Sequence, residues 1–330
     1  MKIDVFNHFV PPKFLDRVES VTGDPEMKKR NAHIPTLWDL DARLRLLDPY
    51  DDLQQILSLG QPPLEILAGP DESPELARVG NDGLAEICAS HQDRFPSFLA
   101  SLPMNNPEAA VREMERAMRE LGACGVQIYT NVQGHPLDEP RFLPIFQYAA
   151  EHRVPIFMHP ARPATFADYR SESKSRYELW WAFGWPYETS VAMARLVYSR
   201  IMERFPDLIV VTHHMGGMVP YFSGRISPGL DVMGERSVDE TYEPLARPAM
   251  EYFKRFYADT ALFGAEDATW LGYRFFGVDH CLFASDCPFD PEGGALFIRE
   301  TIRVLDRLPI SEEARQQLYE GNARRLLPLR

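Results

Sequence analysis

The sequence predicts a (β/α)8 TIM-type barrel with long inserted loops over its C-terminal face. Eight short apolar runs recur along the 330 residues, and amphipathic stretches lie between them. Such alternation is the pattern of a parallel sheet built with crossover helices. A doubly wound open sheet is the rival arrangement, but no glycine-rich nucleotide fingerprint follows the first run. The length suits one barrel domain over residues 1–330.

In chain order the expected strands are residues 3–9, 53–59, 95–102, 125–130, 154–159, 208–213, 256–261 and 280–285. Each is short and rich in Val, Ile, Leu and Phe, as a strand buried on both faces should be. Residues 107–121 place Val111, Met114, Ala117, Met118 and Leu121 at helical spacing. Residues 74–91, 140–152, 189–204 and 265–276 read as helices in the same way. Two segments are too long for plain connections. Residues 11–50 hold a charged, loop-like stretch (23–30) and a helical one (37–47). Residues 160–187 carry Tyr169, Tyr177, Trp180, Trp181, Phe183, Trp185 and Tyr187. A long loop after a strand is more often functional than idle, and in a barrel it covers the active-site face. The aromatics suit a lid or a subunit interface equally.

The bulk properties narrow the partners. With 45% hydrophobic and 25% charged residues the composition is that of a soluble globular chain. A net charge of −13 argues against general binding to nucleic acid or anionic membrane, yet leaves room for an anionic substrate held by local arginines. The start, Met-Lys-Ile-Asp, has a carboxylate where a secretory leader needs apolar residues, and no apolar run approaches ~20 residues. Cys88, Cys124, Cys281 and Cys287 are scattered and form no CxxC pair, so a reducing cytoplasm is expected.

Three strand ends carry groups suited to a metal. His8 lies one residue before the end of the first run, His159 ends the fifth and Asp286 directly follows the eighth. Alone, each is as well explained by a structural histidine or a turn cap. Together they offer imidazole nitrogen and carboxylate oxygen to Zn, Mn, Fe or Co, from three strand ends, and leave coordination room for water and substrate. The sixth run exits as His213-His214-Met215-Gly216-Gly217. On a regular strand only one of the two histidines points inward, and an inward histidine is a natural general acid or base.

The segments Asp4 to Pro11, Trp38-Asp39-x-x-x-Arg43, Met158-His159-Pro160, His214-Met215-Gly216-Gly217-x-x-Pro220, Arg225-Ile226 and Ser285-Asp286-x-Pro288-Phe289 follow one another along almost the whole chain. On these the chain resembles the amidohydrolase-related (amidohydrolase 2) family of aminocarboxymuconate-semialdehyde, γ-resorcylate and carboxyvanillate decarboxylases. The resemblance implies that His8, His159 and Asp286 hold one divalent metal, zinc first, with Mn, Fe or Co as alternatives. It implies that His214, rather than His213, acts in catalysis together with Asp286. Arg225 and Arg43 match arginines that bind substrate carboxylate, Arg225 in some members from the neighbouring subunit; a guanidinium suits that task through paired hydrogen bonds. Trp180 and Trp185 would flank the substrate, and a homo-oligomer, a dimer or larger, is expected.

One position departs from the pattern. The family's first strand carries His-x-His, or a glutamate in place of the first histidine; here Phe6 stands there. Residues 4, 6 and 8 share a strand face and Asn7 points the other way, so Asn7 is no substitute. Three readings stand: three protein ligands plus substrate, an unassigned side chain that completes the shell, or a site that works or merely binds without metal. The leading expectation is a metal-dependent decarboxylase of a small aromatic or unsaturated carboxylic acid. The alternatives are a metal-dependent hydrolase or hydratase on the same scaffold, and a metal-free or non-catalytic binding protein.

Overall fold

Eight strands make the barrel wall: β1 (Lys2–His8), β2 (Leu53–Ser58), β3 (Leu99–Ser101), β4 (Gly125–Tyr129), β5 (Ile156–His159), β6 (Val210–Thr212), β7 (Tyr257–Asp259) and β8 (Cys281–Leu282). The computed structural model describes residues 1–22, 32–226 and 243–329. β1 pairs with β2, and β3 to β8 form a six-stranded parallel sheet in sequential order. A bridge between Leu57 and Phe98 joins the two pieces. Hydrogen bonds from Val5 N to Phe283 O (2.9 Å), Asp286 N to Phe6 O (3.0 Å) and His8 N to Cys287 O (2.8 Å) close the wall between β8 and β1. The closed wall is the barrel expected from the sequence.

Each of the eight apolar runs coincides with one strand; β1 starts one residue early at Lys2, and the other seven strands are shorter than their runs. A small cluster fills the barrel: Ile3, Val5, Phe6, Leu99, Phe157 and Leu282 are among its members. A larger cluster lies between wall and helices. The expected helices form with shifted ends. Residues 107–121 fold as Pro107–Arg116, capped by the Asn106 side chain, and a wider last turn, Ala117–Leu121, ending at Gly122 with φ 76°. The stretch at 189–204 begins earlier, as Gly184–Tyr198, and breaks at Arg200 (φ 66°) before Ile201–Arg204. The helix Ala295–Arg307, which buries Ile298, Thr301, Val304 and Leu305, was not expected, although that spacing announces it. Nor was a hairpin of Asn131–Val132 with His135–Pro136 expected, turned by Gln133 and Gly134, both at positive φ.

The two long segments differ. In the first, Pro12–Thr22 and Leu40–Leu47 are helical, the latter capped by Asp39; the charged stretch 23–30 lies outside the described residues. In the second, irregular chain leads to Leu179–Ala182 and on into Gly184–Tyr198. Among the described residues no helix is long and apolar enough to cross a membrane.

Candidate metal centre

β1 sets the geometry of the site. Its pairing with β2 steps from Asp4–Gln55 to Asn7–Leu57, three residues against two, the mark of a bulge. Phe6 and His8 both lie buried by the site, with ring centroids 5.1 Å apart. Asn7 turns away: its amide donates to Ile56 O (3.1 Å), and its oxygen accepts from Arg43 Nη1 (3.2 Å). Asn7 therefore takes no part in the cluster, as strand alternation predicts.

Three buried histidines, His8, His159 and His213, surround the ring of Phe6, a fourth, His214, packs against His213, and all four engage Nδ1 outward. His8 Nδ1 meets Leu59 O at 3.0 Å, and His159 Nδ1 meets Pro160 O at 2.7 Å. His213 Nδ1 is bonded to Asp259 Oδ2, and His214 Nδ1 to Ala261 O. Carbonyl and carboxylate oxygens only accept, so these contacts put the proton on Nδ1 and leave the lone pair of a neutral ring on Nε2; Gln61 Nε2, 3.2 Å from His159 Nδ1, has its own acceptor in Pro160 O (2.9 Å). Asp286 meets two of these nitrogens: Oδ1 lies 3.1 Å from His8 Nε2 and 3.5 Å from His213 Nε2. Nε2 of His213 is buried and makes no hydrogen bond.

The donor atoms fit a cation. Those of His8, His159 and Asp286 lie within 4.8 Å of one another, and so do those of His213, His214 and Asp286. Metal bonds of roughly 2.0–2.2 Å require only small side-chain adjustment from there. Histidine ligands characteristically donate their far N–H to a carbonyl or carboxylate, as all four do here. The sequence-predicted ligands are thus brought together.

Electrostatics follow from burial and crowding. Burial, and next the His213 and His8 rings, hold His159 well below its ordinary pKa. Burial, and next His213, push His214 down to about 4. Burial also opposes charge on His213, but the adjacent Asp259 carboxylate outweighs it and raises that pKa to about 9. For Asp286 burial opposes ionisation, yet the His213 and His8 rings outweigh it and keep the carboxyl well below its usual range. His159 and His214 are consequently neutral near pH 7, the form in which imidazole ligates or accepts a proton.

The adjacent histidines correct one expectation. Both His213 and His214 reach the cluster, with ring centroids 3.8 Å apart. The regular strand ends at Thr212, and His214 (φ 52°) and Met215 (φ 50°) are left-handed, so alternation no longer applies. Gly216 and Gly217 continue the tight turn at positive φ.

Arg43 is a second correction. It is fully buried, and its guanidinium donates to Thr36 O (2.8 Å), Asn7 Oδ1, Gln55 Oε1 (2.9 Å) and the backbone carbonyl of His8. Those contacts leave it no face for a substrate carboxylate; it fixes the β1 exit instead. Arg225 is exposed in the helical segment that begins at residue 223, beyond the His214 loop. Trp185 sits over the site, its ring centroid 5.2 Å from His159, and Trp180 packs behind it at 5.7 Å. The roof also includes Phe289, quoted in the sequence only as part of a motif and 5.4 Å from His8, and Phe263, which the sequence reading passed over and which lies 5.2 Å from His214. Asp259 ends β7 two residues before the expected run 256–261 does, so a strand-end reading of the sequence missed it.

Comparison with known proteins agrees with this arrangement. A family model described as amidohydrolase matches residues 3–329. A 2-amino-3-carboxymuconate-6-semialdehyde decarboxylase of Dictyostelium discoideum is 30% identical over 88% of this chain and 77% of its own length. A γ-resorcylate decarboxylase of a Polaromonas strain is 31% identical over 99% of this chain and 98% of its own. The crystal structure of a dihydroxybenzoic acid decarboxylase from Polaromonas, with manganese and the inhibitor 2-nitroresorcinol, superposes with a TM-score of 0.79 at 28% identity, covering 98% of this chain and 96% of the other.

Proposed function

The chain belongs to the amidohydrolase family, and from that premise we propose that it is a metal-dependent decarboxylase of a small aromatic carboxylic acid. The observation that carries the reading is the buried set His8, His159 and Asp286 beside a neutral His214, under an aromatic roof. Relatives similar along nearly the full length are decarboxylases, which favours carbon dioxide loss over the hydrolytic alternative and over simple binding.

His8, His159 and Asp286 would hold one divalent cation. When bound, it supplies positive charge that draws electron density from a substrate oxygen. The solved relative carries manganese, so zinc has no claim to be the first choice; imidazole and carboxylate donors suit either. Trp185 and Phe289 flank the space above the histidines, exclude water and stack on an aromatic ring. His214 accepts at Nε2 the exchangeable proton of a substrate ring hydroxyl, because its Nδ1–H is committed to Ala261 O, and passes it to Asp286. Asp286, at the centre of the cluster, relays the proton to the ring carbon. The bond from that carbon to the carboxylate then breaks, and its electron pair returns to the ring as carbon dioxide leaves. Arg225 is the carboxylate-binding group in this reading. It is exposed, as are the neighbouring Tyr221 and Phe222, which suits a site completed across a homodimer.

The test is product analysis on a panel of hydroxylated benzoates with manganese- or zinc-loaded protein. Carbon dioxide release, with solvent deuterium appearing at the vacated ring position, is the expected result. Incorporation of water without carbon dioxide would overturn decarboxylation in favour of hydration or hydrolysis.

A further inference from the structure

We propose that His213 supplies, through Nε2, the fourth protein ligand that Phe6 cannot. The inference rests on the metal-dependent reading above and concerns which side chains complete the shell. Phe6 occupies the place on β1 where a ligand is missing, and the nearest imidazole to its ring is that of His213, with centroids 4.4 Å apart. That imidazole stands 5.0 Å, centroid to centroid, from His159, and its Nε2 lies 3.5 Å from Asp286 Oδ1. It is thus beside two of the expected ligands.

Three features separate His213 from a structural histidine. Its Nε2 is buried without a hydrogen-bond partner, a costly state for a core polar atom and one that a cation relieves. Its Nδ1 is bonded to the buried carboxylate of Asp259, the outer partner that orients ligating histidines and makes them more basic. Asp259 is itself fixed by the backbone N–H of His214 (2.9 Å) and of Ala261 (3.1 Å), so the pair is held rather than mobile. His214 has a neutral backbone carbonyl behind it where His213 has a carboxylate, and Phe263 packs against it in an edge arrangement, which leaves it the weaker candidate and free for proton transfer. The ligand lost from β1 is thereby replaced from the β6 exit.

The experiment is metal titration of the full-length apoprotein with Mn, Zn and Co, read by competition with a chromophoric chelator, for the parent and for His213→Ala, His214→Ala and the double variant Phe6→His/His213→Ala. His213→Ala is expected to weaken binding at least tenfold, while His214→Ala stays within about threefold. The double variant, which moves the imidazole back to β1, is expected to recover most of the loss. The parent loaded with Co should show three paramagnetically shifted imidazole N–H protons, from the bonded Nδ1 atoms of His8, His159 and His213; this readout holds even where a variant does not fold. Unchanged affinity in His213→Ala, or two shifted protons in the parent, would overturn the assignment while leaving the metal-dependent reading intact. A parent that takes up no metal would overturn both.

Discussion

Asp286 Oδ1 lies 3.1 Å from His8 Nε2, at the seam where β8 closes on β1. The Nδ1–H of His8 is directed to Leu59 O, so the neutral ring would present a lone pair to a carboxylate oxygen. That contact is repulsive unless a proton or a metal ion lies between the two atoms. A barrel brings them together from positions 278 residues apart in the chain.

Replacing the carboxylate by an amide should therefore remove the site's charge without removing its volume. Asp286→Asn is expected to cost more in metal affinity than the roughly 10–100-fold that losing an outer partner costs. Decarboxylation should fall with it, and excess metal should not restore the rate, because the proton relay is lost as well. Metal content after gel filtration and single-turnover rates at saturating metal check the two parts separately.

Arg43 offers a test of its corrected role. Its substitution by Ala leaves the His8 carbonyl, Asn7 and Gln55 without their buried donor. Each buried acceptor left without a partner costs about 1–3 kcal/mol. The expected result is a lowered denaturant midpoint, with a weaker metal site because β1 loses its brace. A raised KM at unchanged stability would return Arg43 to substrate binding.

The barrel was legible because its signals are local: eight apolar runs and the helical spacing between them. His8, His159 and Asp286 were legible because strand ends in a barrel converge. What failed was reasoning that assumed regular strands. The two histidines after Thr212 both enter the site because the chain turns left-handed at His214, which no periodicity reports. Arg43 failed for a related reason: a basic residue in a loop-rich segment looks free in one dimension, and only the β1–β2 contact shows its donors committed. The partnership of His213 with Asp259 spans 46 residues and depends on adjacent barrel strands, so each looked ordinary by itself.

Glu65 predicts a pH effect outside the cluster. Burial raises its carboxyl to about 7, and its Oε1 has no hydrogen-bond partner. The folded state thus binds this proton more tightly than the unfolded chain, whose glutamate titrates near 4.5. Stability from this group is fully present below about 4.5 and is lost as pH rises through about 7. Glu65→Gln should remove that dependence and raise stability at pH 8 by a few kcal/mol, on the order of 1.4 per pKa unit. Urea denaturation of both proteins at pH 5 and pH 8 checks it; equal effects at the two pH values would refute it.

His214 gives the sharpest separation of chemistry from binding. Its Nε2 is the proton acceptor in the proposed reaction, and its Nδ1–H is spent on Ala261 O. Burial and the His213 ring keep it neutral until about pH 4. The base form is present above that value, so the rate should rise through about pH 4 and stay level toward neutrality, unless a second group limits it at higher pH. His214→Asn preserves the donor side of the ring but removes the base. The expected loss in kcat is roughly 10²–10⁴-fold, the usual worth of a positioned acid or base. Metal content and substrate binding should remain near the parent's, and the acid limb near pH 4 should vanish from the residual rate. Steady-state kinetics from pH 3.5 to 8, with metal analysis of the same samples, would reveal a ligand instead of a base: the metal would then leave with the histidine.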